Sequence, residues 1–452
     1  MATQRLDLCD PGQRHAENFV SHHFADVIAD EGADAAPSSP LLRGGQHNAD
    51  RALADLDLAG YTRDRSQAYP ERLRGSSRLS PYIRHGLLTL PRLWRHVQGP
   101  SAEVARFRLE LLWQEYARHW YARLGSSTKR PLLNEPDGSP DPSATRAERV
   151  GPNQVGSTED GPDVSWDQSM GCLEITTGEL EDDGWLVGQT RLWLASHWVV
   201  RLGRDWRDGE EYFFTHLLDG SRAANRLGWQ MATGMTANRP YHFTRLEVES
   251  RAPGLCASCE LNTACPIEQW PDRSPSKPVS RPDPLLYADP NPERTSGSTR
   301  IERPKGNADR PDVVWITAES MGHDDPALAA HPDLPAVFVF DRPLLKRLRL
   351  SSKRLVFIVE TLAELATSRD VHVYDGTPAE ALAGSSVATT FAPVPGWRHH
   401  ARRVEPVEIH PWPWLHWPGP GDLSTFQRWF EQVSGGQLDR EPVGAAHSAI
   451  SL

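Results

Sequence analysis

Residues 219–230 read DGSRAANRLGWQ, and their apolar positions recur at helical spacing. We predict a helix over residues 222–231. Its apolar positions are mostly alanine, leucine and tryptophan, and Asn225 stands among them. An isolated asparagine is usually a cap or a surface residue, and Asp219 ahead of the helix is by itself an ordinary helix cap. Taken alone, the stretch predicts a capped helix.

The helical character extends on both sides of this stretch, from residue 47 to about residue 250. Ser101 is a predicted N-cap, and the residues after it follow helical spacing to about residue 125. We interpret residues 1–40, which have few large apolar side chains, as a short helix around 15–30 followed by a mobile segment. Residues 131–165 look like an inserted loop. Further helices are predicted at residues 91–97, 185–202 and 209–218.

The sequence changes character after residues 271–311, which are rich in proline and serine, lack periodicity and are interpreted as a linker. Apolar runs in 312–317, 334–341 and 370–374 predict strands that are buried on both faces of a parallel sheet. Predicted helices at 352–368 and from residue 378 alternate with them, which is typical of a doubly wound α/β fold. No G-x-G-x-x-G follows a strand and no P-loop motif occurs, so this part does not look like an ordinary nucleotide-binding enzyme.

Composition and charge exclude several classes of protein. The chain has 452 residues, enough for two or three domains, and a net charge of −11. It has no run of 18 apolar residues and its first residues lack an apolar signal core, so we expect a cytoplasmic protein without a membrane span. The net charge does not suggest nucleic-acid binding, but residues 51–150 contain 17 Lys and Arg against 11 Asp and Glu. A local basic face is therefore compatible with the acidic total.

Four blocks of the helical region resemble the FAD-binding domain of the photolyase/cryptochrome family. They agree with the blocks of that family in order and in spacing over roughly 200 residues, so chance is a poor explanation. The blocks are GSSRLSPY at 75–82, ELLWQEY at 110–116, DWRDGEEY at 205–212 and DGSRAANRLGWQ at 219–230.

The α/β part resembles the antenna domain of the same family, which precedes the FAD-binding domain there and follows it here. The resemblance therefore implies a circularly permuted chain, which is tolerable because domain termini lie on surfaces. The expected fold is α plus α/β, with an all-helical FAD-binding photolyase domain followed by a C-terminal Rossmann-like α/β antenna-type domain. The predicted parts are an N-terminal segment at 1–40, the helical domain at 41–270, the linker at 271–311 and the antenna-like domain at 312–452.

The resemblance implies FAD as the cofactor, and it leaves the antenna pigment unidentified. A hydroxyl-rich segment before a helix suits a diphosphate, although by itself it would be just a capped helix. Asn225 matches the family asparagine that faces N5 of the flavin ring, whereas Ser221 replaces the second acid of the family. The implied contacts are Tyr61, Ser76, Ser77, Ser80, Asp219 and Asn225.

Three tryptophans match the family's chain of electron donors, namely Trp229, Trp206 and Trp166. An indole can lose an electron to an excited flavin, and stepwise hops then carry the hole to solvent. The simpler interpretation is that all three are core aromatic residues, as most tryptophans are.

Glu110 and Trp113 lie at i and i+3, so they share a helix face. In the family this pair belongs to the lesion pocket, where the indole stacks on the flipped dimer and the carboxyl group hydrogen-bonds it. The alternative is a surface pair of Glu110 with Arg106 beside a core tryptophan. The chain departs from photolyases at His197-Trp198-Val199, where they carry H-N-R, and at Met231, where many carry tryptophan. His197 is a candidate proton donor or a packed, neutral histidine.

Three of the five cysteines lie in GLCASCELNTACP at 254–266, and an odd number of cysteines argues against a disulfide framework. This arrangement after Arg239-Pro240-Tyr241 resembles the bacterial iron–sulfur branch of the family and implies a [4Fe–4S] cluster, which needs four thiolates. Zinc, completed by Cys172 or His242, and unligated thiols are the alternatives. The implied ligands are Cys172, Cys256, Cys259 and Cys265, and Cys9 is left over.

The function that the resemblance implies is that of a DNA photolyase-like carbon–carbon lyase. It would repair UV-induced pyrimidine dimers in DNA by electron transfer from photoexcited reduced FAD. UV-damaged DNA is then the expected partner, and a monomer is favoured. The alternative is a cryptochrome-like blue-light photoreceptor without DNA repair, and a light-independent flavin redox protein is a third, less supported interpretation.

Overall fold

A computed structural model describes residues 3–29, 37–135, 166–236, 239–271, 276–304, 310–394, 396–438, 440, 442 and 444. Helices dominate residues 37–271, which we call the helical part, and a six-stranded sheet dominates residues 310–410, which we call the α/β part. Most of the predicted insertion at 131–165 lies outside the described residues.

The helices up to residue 271 agree in place with most of the predicted ones. The helix predicted over 101–125 is α6, in which Ser101 Oγ accepts the Val104 N–H at 3.2 Å, and the helix predicted over 222–231 is α10. These helices are α1 (Gln13–Phe24), α2 (Gln46–Ala54), α3 (Tyr61–Asp64), α4 (Ser80–Arg84), α5 (Leu90–His96), α6 (Ala102–Leu124), α7 (Gly171–Gly178), α8 (Gly188–Ser196), α9 (Trp206–His216), α10 (Arg222–Ala232), α11 (Arg245–Arg251) and α12 (Leu255–Ser258).

The later helices alternate with strands, as the sequence predicts. The strands are β1 (Gln4–Leu6), β2 (Asn134–Glu135), β3 (Lys277–Pro278), β4 (Val313–Ile316), β5 (Ala336–Asp341), β6 (Val371–Gly376), β7 (Val387–Thr390) and β8 (Glu408–His410). The remaining helices are α13 (Pro292–Ser296), α14 (Pro326–Ala330), α15 (Arg342–Leu348), α16 (Ser352–Leu365), α17 (Pro378–Ala381), α18 (Trp397–Val404) and α19 (Phe426–Ser434).

The large sheet has the strand order β1-β6-β5-β4-β7-β8, and β4 to β8 pair in parallel. Strand β5 is buried at five of its six positions, because both faces of the sheet are covered. The order reverses between β4 and β7, so the sheet is doubly wound, which confirms the predicted parallel sheet.

The N-terminal segment predicted over 1–40 contains the expected short helix as α1, and it also packs on the α/β part. Strand β1 pairs antiparallel with β6, and helix α1 packs against α16, with the ring of Phe24 4.6 Å from that of Phe340. The sequence QRL of β1 has no strand pattern of its own, and the β6 edge supplies its hydrogen bonds. The start of the chain is therefore part of the α/β sheet.

The predicted linker is also packed rather than free. We call its residues 276–304 the connector. Within the connector, strand β3 pairs with β2, and Glu302 forms an antiparallel β-bridge with Ile409. Asp289 is buried and its carboxylate lies 3.5 Å from Arg123 Nε of α6. Proline-rich sequence lacks periodicity, so it hides this packing from sequence analysis.

Buried polar groups join the helical part to the carboxyl end of β4. His85 Nδ1 lies 2.7 Å from the carbonyl oxygen of Ala318, and Arg84 pairs with Glu319 at 2.6 Å. Arg354 of α16 donates to the carbonyl oxygen of Gly220 at 3.0 Å, and burial lowers its pKa to about 9. The loop after β4, where doubly wound sheets commonly bind ligands, is therefore covered by the helical part.

Two glycines let the backbones meet at this junction. A Cβ on Gly322 would lie 2.2 Å from the carbonyl oxygen of Gly86. This oxygen belongs to the backbone, so it cannot move away as the end of a flexible side chain could. We expect Gly322→Ala to lower the free energy of unfolding by about 1–3 kcal/mol, as overpacking does. Urea unfolding followed by circular dichroism measures this. The control is Gly188→Ala, which has no atom within 4 Å of the new methyl group. Equal midpoints for the two variants would contradict the close contact.

Candidate cofactor site and cysteine cavity

Helices α9 and α10 hold Trp206, Asn225 and Trp229, and the sequence explains how they pack. Asp205 caps α9, since its Oδ1 accepts the Arg207 N–H at 2.9 Å. Gly209, one turn later, has no side chain, and the Trp229 indole fills that space. A Cβ on Gly209 would lie 2.1 Å from Trp229 Cη2. The block at 205–212 thus needs its glycine so that the two helices can approach.

Asn225 is 6% exposed, and its Nδ2 has no hydrogen-bond partner among the described residues. Such an atom is costly in a protein interior unless another group accepts from it. The first residue of the quoted stretch, Asp219, is paired: its two carboxylate oxygens accept from Arg191 of α8 at 3.1 and 2.7 Å. Sequence analysis missed Arg191, because no local pattern links it to Asp219.

Two of the three predicted phosphate serines line a large cleft of about 980 Å³ beside α2. Ser76 Oγ is buried and has no partner in the described chain, and Ser77 lies next to it. Ser80 does not line the cleft, and its Oγ accepts the Trp185 Nε1–H at 3.1 Å. Asp219 and Asn225 do not line it either. Five arginines and three aspartates line the cleft, namely Arg51, Arg63, Arg72, Arg74 and Arg78 against Asp55, Asp57 and Asp64.

Tyr61 lies beside Glu110 rather than on the cleft. It is 7% exposed, and its ring meets Phe107 edge-on at 5.4 Å. Burial, followed by the charge of Glu110, raises the pKa of Tyr61 above its usual range. The phenol therefore stays protonated.

The three predicted electron donors share one buried cluster of the helical part. The Trp229 ring lies 5.1 Å from Phe213, and the Trp166 ring lies 5.3 Å from Trp198. Trp198 Nε1 donates to the carbonyl oxygen of Asp205 at 2.8 Å, directly before Trp206. Trp198 thus joins Trp166 to the start of α9. Sequence analysis treated Trp198 only as a departure from the family.

Glu110 and Trp113 lie together on α6, as predicted, but other side chains engage both. Glu110 Oε1 lies 2.8 Å from Arg106 and 3.0 Å from Arg65. The Trp113 ring stacks on Phe426 of α19, with the centroids 4.0 Å apart and the planes at 11°. One face of the indole is therefore occupied by the C-terminal helix.

His197 lies elsewhere in the helical part. It begins a π-helical turn, His197–Arg201, and its ring contacts are with Trp166 at 6.4 Å and Phe243 at 6.0 Å. Burial lowers its pKa to about 4, so the imidazole is neutral at pH 7. The structure does not bring His197 into ring contact with Trp113, and its surroundings are those of a packed core histidine.

The four predicted cysteine ligands line one small cavity, and Cys172 reaches it from α7. All four are free thiols, and the walls between them are mostly apolar. Burial raises the pKa of Cys172 to about 12, and the three neighbouring cysteines add to the shift. The structure thus brings together four residues from two distant segments of the sequence.

The spacing of the sulfurs distinguishes between metals. Zn–S bonds of about 2.3 Å in a tetrahedron place the sulfurs about 3.8 Å apart. No three of these four described cysteines have sulfurs that all lie within 4.8 Å of one another. The cavity is therefore wider than a tetrahedral zinc site.

Residues 175–251 match the family model of the FAD binding domain of DNA photolyase. A deoxyribodipyrimidine photo-lyase of Thermus thermophilus is 29% identical over 215 residues, which are 46% of this chain and 47% of that protein. That of Escherichia coli K12 is 31% identical over 182 residues, which are 38% of this chain and 35% of that protein. This part of the chain is therefore similar to the FAD-binding domain of DNA photolyases.

The likeness to this family is limited in extent. The chain spans about half or less of the length of the curated relatives it matches, 36% and 47% for two of them. The solved structure of a class III photolyase of Agrobacterium tumefaciens is 23% identical and superimposes with a TM-score of 0.36, over 45% of this chain and 42% of that chain. The matched segment includes α8 to α10, with Asp219, Asn225 and Trp229. Among the described helices, none is long and apolar enough to cross a membrane.

Proposed function

We propose that the protein is a light-dependent flavoprotein that repairs UV-induced pyrimidine dimers in DNA, with FAD held by the helical part. The match of residues 175–251 to the photolyase FAD-binding domain supports FAD, and the curated relatives are named deoxyribodipyrimidine photo-lyase. Bound FAD would supply light absorption and one-electron chemistry.

One observation carries this proposal, the unpartnered amide of Asn225. It lies inside the matched segment, on a buried helix and one turn before Trp229, and its Nδ2 has no acceptor among the described residues. Ser76 Oγ, in the cleft, is a second buried polar atom without a partner there. The Asn225 amide suits an acceptor atom of a heterocycle, and the Ser76 hydroxyl in the cleft suits a phosphate.

The remaining residues of the site then have separate roles. Ser76 and Ser77 bind phosphate, and the arginines of the cleft compensate its charge. The ion pair of Arg191 with Asp219 orients the carboxylate ahead of α10. Trp229, Trp206 and Trp166 provide oxidisable indoles from the interior outwards, and Trp198 shortens the last interval.

Repair is tested with purified, reduced protein and oligonucleotides that contain either a cyclobutane or a 6-4 dimer. We expect blue light, and not darkness, to restore the intact bases, because the proposed chemistry begins from an excited state. The matched variant is Trp229→Phe, which should slow light-driven flavin reduction and leave repair by pre-reduced protein unchanged. Failure to repair both dimer types would reject the repair proposal. Light-driven flavin reduction that persists without repair would leave the flavoprotein assignment intact.

The cysteine cavity supports a [4Fe–4S] cluster as a second cofactor. No three of the four sulfurs are as close together as a tetrahedral zinc site requires, and burial makes an unligated Cys172 thiolate unfavourable at neutral pH. A cubane cluster takes four cysteine thiolates, which is the number that this cavity offers. We therefore prefer the cluster to zinc.

Loss of one ligand tests the cluster. We expect anaerobically purified protein to contain about four iron and four sulfide ions per chain, and Cys172→Ser to lose most of the iron together with its visible absorption. Cys9→Ser is the control, because Cys9 packs against the other core of the molecule. Stoichiometric zinc in place of iron in the native protein, or unchanged iron in Cys172→Ser, would contradict the proposal.

A cryptochrome-like photoreceptor without DNA repair is the second candidate, and the covered Trp113 favours it. Phe426 occupies the indole face, and Arg65 and Arg106 engage Glu110. A flipped base cannot stack on that face of Trp113 unless Phe426 leaves it. In this function, light would act on the chain through conformation, with the lesion pocket closed.

Uncovering Trp113 separates the two candidates. We expect Phe426→Ala to strengthen binding of dimer-containing DNA about two- to tenfold, since an aromatic pair contributes about 0.5–1.5 kcal/mol. Fluorescence anisotropy at fixed salt measures the affinity, and Gln427→Ala, an exposed change on the same helix, is the control. Equal affinity of both variants and the native protein would show that α19 does not compete with DNA.

We also infer that the chain is circularly permuted relative to its family. Strand β1, from the start of the chain, forms one edge of the α/β sheet. Helix α19, which follows the α/β part, packs on α6 of the helical part. The connector bridges the same two parts through Asp289 and Glu302. These contacts join the two parts closely enough for either order along the chain.

A further inference from the structure

Three metal-ligating side chains converge at the edge of the α/β sheet, far along the chain from the cysteines. Glu408 and His410 are two residues apart on β8, so they share one face of the strand. His331 directly follows α14, which packs against β7 and β8. His331 Nε2 and His410 Nε2 lie 2.7 and 2.6 Å from the same atom, Glu408 Oε1. Among the described residues, this is the group of three whose ligand atoms lie within 4.8 Å of one another.

We propose that His331, Glu408 and His410 bind a divalent transition-metal ion, with zinc as the best fit. Two imidazole nitrogens and one carboxylate oxygen are a known ligand set for zinc, with further positions left for water. Calcium and magnesium prefer oxygen ligands, so two imidazoles select against them. This inference does not depend on the proposed function.

The way in which both histidines face Glu408 Oε1 supports one metal ion in place of the two protons that hydrogen bonds would need. Both imidazoles turn the same ring nitrogen to one oxygen, so hydrogen bonding alone requires each to carry its proton there. Zinc–ligand bonds of about 2.0–2.1 Å in a tetrahedron would place each histidine nitrogen about 3.3 Å from the Glu408 oxygen, roughly 0.7 Å further than in the structure. His331 can supply this movement, because it ends a short helix and its side chain is 21% exposed. Glu408 and His410 are the fixed ligands, with side chains 7% and 4% exposed.

Arg303 of the connector completes the surroundings. It lies 3.0 Å from Glu408 Oε2, which leaves Oε1 for the ion and holds the carboxylate in place. An ion at this position would link α14, the edge strand β8 and, through Arg303, the connector. We therefore expect it to stabilise the α/β part.

The test uses the full chain, dialysed against a chelator, and titrates zinc against a chromophoric competitor. Cobalt serves as a second probe, because nitrogen and oxygen ligands give weak visible bands, whereas cysteine gives strong charge-transfer absorption. We expect the native protein and Cys256→Ser to share one site with weak cobalt bands, and zinc to raise the midpoint of thermal unfolding. His331→Ala and Glu408→Gln should weaken that site by more than the roughly 10–100-fold that changes next to a ligand cause.

His372→Ala is the matched control. His372 lies on the same sheet with 22% of its side chain exposed, and within the described chain it is paired with the carboxylate of Asp370 at 2.9 Å. It should retain native affinity. Glu408→Gln keeps the size of the side chain but replaces one acceptor oxygen with a donating amide group, and circular dichroism checks that the overall fold is unchanged. Native affinity in both His331→Ala and Glu408→Gln, or no zinc site in Cys256→Ser, would overturn the proposal.

Discussion

Helix α6 is buried along most of its length although it carries charged side chains, and a buried charge is costly unless it is paired. The partners come from other parts of the molecule. Both carboxylate oxygens of Glu115 accept the Leu415 N–H, at 3.0 and 2.9 Å. Arg123 donates to the carbonyl oxygen of Gly421 at 2.5 Å and lies 3.5 Å from Asp289. The charges of α6 thus fix the path of the chain after β8 and that of the connector, which is how the two halves of the molecule become one structure.

Sequence analysis predicts the parts of the fold whose pattern is local. The buried strands β4 and β5 and the long helix α6 carry continuous or periodic apolar residues, and each is found near its predicted place. The edge strands are different. Gln4–Leu6 and Glu408–His410 are three residues each and mostly polar, so only the neighbouring strand shows that they pair. The connector is missed for the same reason, since its order comes from contacts with α6.

The candidate site divides in the same way. The family blocks point to Asn225 and Trp229, which the structure places as buried residues on one helix, and the cysteine motif points to residues that share a cavity. Their partners are missed, because Arg191 and Phe426 come from segments without a motif. The sequence leaves His197 open to two interpretations, a proton donor or a packed neutral histidine, and its ring lies among core aromatic residues, which favours the second.

Cofactor chemistry and DNA chemistry depend on different contacts in this chain. Asn225 and Trp229 are set by the packing of α9 on α10, which does not involve the C-terminal helix. Trp113 is covered by Phe426, while the residues just before that helix are held, since Tyr116 donates its hydroxyl to the carbonyl oxygen of Leu423 at 2.7 Å. A movement that uncovers Trp113 can keep this bond if it is confined to Phe426, through rotation of its side chain or a bend of the chain after Leu423. Access of DNA can change in this way while the cofactor site keeps its geometry.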